Sequence, residues 1–77
     1  MAWKTYLVLF FGTTGAKPSE VVAKIESLGF KSTLGPVDFI YEWGNKEPLK
    51  TQVLELANQL AKNLIGTSCI FNIDTHN

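Results

Sequence analysis

Residues 3–11, WKTYLVLFF, put bulky apolar side chains on both faces of any strand they form. The run is too short for a core helix and rich in the aromatic and β-branched residues that favour strands. In an extended chain Tyr6, Val8 and Phe10 point one way, and Leu7, Leu9 and Phe11 point the other. A strand of this kind belongs inside a sheet with both faces covered. A single layer of helices covers only one face, so the second must find a partner or remain open.

The rest of the chain supplies one helix layer. Gly12, Thr13, Thr14 and Gly15 read as a loop, and Pro18 suits an early helical position, where a missing N–H does no harm. The spacing of Val21, Val22, Ile25 and Leu28 predicts a first helix over residues 18–28, with Gly29 as its stop. Residues 30–34 suit a short strand, and Gly35-Pro36 a turn. Residues 37–43 alternate, with Val37, Phe39, Tyr41 and Trp43 on one face and Asp38, Ile40 and Glu42 on the other. Asn45 is the candidate cap of a second helix over residues 48–65, whose stripe is Leu49, Val53, Leu56, Ala57, Leu60 and Leu64. Residues 67–73 read as the last strand, and residues 75–77 as a frayed tail.

The predicted order is strand, helix, short strand, strand, helix, strand. It implies an α+β sandwich: a mainly antiparallel four-stranded sheet in spatial order 4-1-3-2, with both helices on one face. If residues 30–34 do not pair, the sheet has three strands. The 77 residues allow a single domain, residues 1–77, with a thin core. This pattern resembles the ferredoxin-like superfamily, and more narrowly its small dimerising effector domains of the ACT and leucine-responsive-regulator types. The passage Gly35-Pro36-Val37-Asp38-Phe39 is similar to the glycine-turn-strand segment of that group, in which a sheet face pairs with another subunit. The likeness covers residues 3 to 74 as topology and implies self-association; it does not choose a function, because the superfamily hosts many. Other members fit less well. An RNA-recognition domain would carry basic and glycine positions that residues 37–43 lack, an acylphosphatase would need an arginine, and an iron–sulfur ferredoxin several cysteines.

Charge narrows the partners. Seven lysines balance seven acids, there is no arginine, and the lysines are scattered. Nucleic-acid binding is disfavoured by this neutrality and by the absence of the guanidinium fork. Cys69 is the single cysteine, so the chain forms no internal disulfide, which fits a reducing, cytoplasmic setting. No signal peptide or membrane span is visible in the apolar runs.

Two features are candidate sites. The open sheet face, with Tyr6, Val8, Phe10, Ile40 and Ile70, is the candidate interface for a homo-oligomer, a dimer first, or for another protein partner. Residues Gly12, Thr13, Thr14, Gly15 and Lys17, before a helix N-terminus, are the candidate cradle for a small anionic ligand, although the spacing matches no phosphate-loop signature. Catalysis has little support. His76 is one residue from the end, Cys69 lacks a histidine partner, and Asp38 and Glu42 lie about 13 Å apart along a strand. No metal or cofactor is expected. The leading expectation is therefore a non-enzymatic module that self-associates through its sheet. Its alternatives are a small dimeric α/β-barrel enzyme using Tyr6, Tyr41 or Asp38, and a weak nucleic-acid binder.

Overall fold

A computed structural model describes residues 2–12, 17–33 and 37–77. The elements run β1 (Trp3–Phe10), α1 (Pro18–Ser27), β2 (Lys31–Ser32), β3 (Phe39–Gly44), α2 (Lys50–Asn63) and β4 (Ile70–His76). Every neighbouring pair is antiparallel, and the spatial order is β2-β3-β1-β4. This is the expected βαββαβ, ferredoxin-like topology, with a second strand of only two residues.

The core lies between the helices and one sheet face. Leu7 and Leu9 of β1 and Phe39 of β3 meet Val21 and Ile25 of α1, Leu56 and Leu60 of α2, and the flanking Phe30 and Leu64. Burying each of these side chains is worth about 1.5–3 kcal/mol before chain entropy is counted. Phe71 and Ile73 of β4 pack against the same cluster. Thr5 is fully buried among them, and its hydroxyl is satisfied twice. It accepts from Trp43 Nε1 at 2.7 Å and lies 2.7 Å from Thr75 Oγ1, so one hydroxyl ties β3, β1 and β4 together.

The helix ends follow local chemistry. Pro18 opens α1, Glu20 sits in its first turn and Lys24 in its last, each favourable to the helix dipole. Gly29, at φ 103°, follows α1 in the left-handed conformation that glycine adopts without strain. Asn45 is not the cap of α2. The helix begins at Lys50, and the Leu49 N–H donates to Gln52 Oε1 at 2.8 Å, so a side chain inside the first turn reaches back to satisfy the entry. Leu49, expected in the buried stripe, stands outside the helix and is 66% exposed.

The last strand lies three residues later than its sequence suggests. Thr67 donates both its N–H, at 3.1 Å, and its hydroxyl, at 2.6 Å, to the Leu64 carbonyl, and Ser68 takes a left-handed φ of 60°. These residues close α2, and β4 begins only at Ile70. The strand consequently takes in Thr75 and His76, which pair with Thr5 and Lys4, so the expected fraying of residues 75–77 does not hold for those two.

Candidate functional site

With both helices on the Leu7 side, the other sheet face has no covering element among the described residues. Its layout follows from the strand register. At one level across the sheet, Lys31, Ile40, Tyr6 and Asp74 stand side by side on β2, β3, β1 and β4. The next level toward the start of β1 carries Glu42, Lys4 and His76. In the opposite direction come Val8 beside Asn72, then Phe10 beside Ile70. All five residues expected at the interface are therefore on one face. Tyr6, Val8 and Ile40 are half-buried, while Phe10 and Ile70 are 53% and 70% exposed.

The polar groups on this face are arranged. Lys31 Nζ lies 3.3 Å from Glu42 Oε2. The His76 ring stacks on Tyr6 with centroids 4.5 Å apart and planes 19° apart, and its Nε2 is 3.7 Å from Asp74 Oδ2. Tyr6, Val8, Asn72, Asp74 and His76 border a shallow depression of ≈ 510 Å³, with Val37 and Ile73 completing it. Nearness to the chain end makes His76 an unpromising candidate from the sequence. The signal that places it is the period-2 continuation Ile70, Asn72, Asp74, His76, which puts the ring on the same side as Tyr6.

Asp38 takes a structural part. It carries on the pairing beyond β3: its N–H donates to the Leu7 carbonyl at 3.0 Å, and its Oδ2 accepts from the Leu9 N–H at 2.8 Å. The carboxylate thus satisfies a β1 donor where β3 has ended. Tyr41 lies on the core side, edge-on to Phe30 at 5.4 Å and against Trp43 at 4.7 Å. Together with Thr51, Gln52, Glu55 and Leu56 of α2, those two rings line a second open depression of ≈ 320 Å³. Tyr6 and Tyr41 are on opposite faces of the sheet and border different depressions.

Of the residues proposed to hold an anion, Thr13, Thr14 and Gly15 lie outside the described residues, as do Gly35 and Pro36 of the glycine-turn-strand passage. Gly12 donates its N–H to the Ser68 carbonyl at 3.0 Å, and Lys17 is the exposed residue at the start of α1. Cys69 is half-buried beside the core, its thiol 3.6 Å from the Thr67 carbonyl. Among the described residues no group of three His, Cys, Asp or Glu side chains is placed to hold a metal, and no helix is long and apolar enough to cross a membrane. Compared with family models, curated proteins and solved structures, the chain matches none.

Proposed function

We propose that this chain is a non-enzymatic assembly module that pairs with a second copy of itself through the open sheet face. The observation that carries the reading is the apolar strip Tyr6, Val8, Phe10, Ile40 and Ile70, contiguous across three strands on the side away from both helices. Contiguous apolar side chains on an uncovered sheet face support a contact surface there. The charges around the strip favour a second copy as its occupant. Lys4 and Lys31 are matched by Glu42 and Asp74, so the face is neither a basic groove nor an acidic one and is suited to its own complement.

Size agrees. Strands spaced about 4.8 Å apart, rising about 3.3 Å per residue, give this sheet roughly 400 Å² of flat projection. Side-chain relief raises the accessible area above that figure, which brings two copies toward the lower end of the specific-interface range, about 1,200 Å² in total. The test is sedimentation equilibrium of the wild-type chain and of Val8→Lys. Val8 is at the centre of the strip, and a lysine there would bring two buried, unpaired charges into the dimer. The reading expects a wild-type dimer and a folded monomeric variant; a variant that dimerises as tightly as the wild type would overturn it.

A further inference from the structure

The layout of charges on the open face also selects how two copies meet. This step rests on the face-to-face pairing just proposed. Two sheets packed through identical faces are related by a two-fold axis lying between them, and for sheets packed in the aligned arrangement that axis runs close to the strand direction or across it.

Consider the axis along the strands. Rotation about it exchanges the two sides of the sheet and keeps each level in place, so β2 faces the partner's β4 and β3 faces the partner's β1. At the level of Lys31, Ile40, Tyr6 and Asp74, each lysine then meets the partner's aspartate and each isoleucine the partner's tyrosine. At the next level Glu42 meets the partner's Lys4, and Lys4 the partner's Glu42. At these two levels every ionic contact is between opposite charges, and the Asp38 carboxylate, one level further along and just before β3, is held by the Leu9 N–H of its own chain. Because Glu42 already holds Lys31 at 3.3 Å within its own chain, it comes to lie between two lysines, one from each copy.

The axis across the strands does the reverse. It keeps each strand over its own counterpart and inverts the levels. Centred on Tyr6, it sets Asp74 on Asp74 and Lys31 on Lys31; centred between Tyr6 and Val8, it sets Lys4 on Phe10 and His76 on Ile70. The first brings like charges together, and the second buries charge against apolar surface. Aligned sheets cross at about 30° and about 10 Å apart. With the outer strands about 7 Å from the axis, that rotation displaces their contacts by only about 4 Å, within the reach of a lysine side chain.

We infer that the chain forms a two-fold dimer whose axis runs parallel to the strands, closed by reciprocal Lys4–Glu42 and Lys31–Asp74 pairs between copies. The experiment uses complementary charge reversals. Lys4→Glu and Glu42→Lys are prepared separately, and each is measured alone and in equimolar mixture by sedimentation, with circular dichroism confirming the fold. Each variant alone sets like charges opposite one another twice and is expected to self-associate roughly tenfold more weakly or worse. The mixture restores both pairs in a heterodimer and is expected to return to dimer. If either variant fails to fold, Lys31→Glu mixed with Asp74→Lys asks the same question on the outer strands.

The outcomes separate the two levels of the reading. A monomeric wild-type chain overturns the face-to-face pairing itself. A wild-type dimer that Val8→Lys dissociates, but whose charge-reversed variants fail to recover on mixing, overturns the axis and leaves the face standing.

Discussion

Replacing Thr5 with valine removes one hydroxyl and almost no volume. The hydroxyl is fully buried and is the junction joining Trp43 Nε1 and Thr75 Oγ1, each at 2.7 Å. Without it the indole N–H and the Thr75 hydroxyl lose their partner inside the sheet. A buried polar group left unpaired costs about 1–3 kcal/mol. Trp43 and Thr75 are only half-buried, so water recovers part of this, and valine spares the burial of the hydroxyl itself. The expected net loss is about 2 kcal/mol, or roughly 10 °C in Tm for a domain of this size. Thr5→Ser is the control, because it keeps the hydroxyl and gives up one methyl group, about 1 kcal/mol. Urea denaturation followed by tryptophan fluorescence, at one fixed protein concentration because the proposed dimer would add to stability, measures both. The predicted order of midpoints is wild type, serine, valine. A valine variant at or above the serine variant would refute the account of Thr5 as a polar junction.

Two further substitutions test the backbone contacts that frame the face. In Gly12→Ala the added methyl carbon would stand 2.8 Å from the Ser68 carbonyl oxygen, a backbone atom that cannot swing aside; the expected loss is about 1–3 kcal/mol in a urea titration. Asp38→Ala strands the Leu9 N–H and is expected to lose about 1.5–3 kcal/mol, with Asp38→Asn losing less because its amide oxygen still accepts; the Leu9 amide should exchange faster in deuterium oxide in the alanine variant.

Much of the fold can be read from the chain, and the misreadings have local causes. The two-sided run Tyr6 to Phe11 indicates a central strand, and β1, which ends at Phe10, is paired on both sides. Gly29 and Gly66 mark the ends of the two helices and both have positive φ. The errors fall where a side chain competes with the pattern. Thr67 turns back onto Leu64 and draws residues that look β-forming into the close of α2, which displaces β4 toward the chain end. Gln52 serves the Leu49 N–H, a contact that no cap signature at Asn45 would suggest.

The candidate surface was legible in part. The apolar strip follows from alternation within each strand, which is a local property. Its charged frame does not, because the alignment of Lys31 with Asp74 across the sheet depends on three successive registers, one of them involving a strand of two residues. His76 needed the same information, since only the pairing of β4 with β1 brings its ring onto Tyr6.

The central claim is that the open face is covered by a second copy. It is tested most directly by the solution mass of the wild-type chain from light scattering over a dilution series from millimolar to micromolar. The account predicts a dimer at the upper end that dissociates on dilution, with the dissociation shifted to higher protein concentration by added salt, as opposite charges at the interface require. A monomer throughout the series would contradict it.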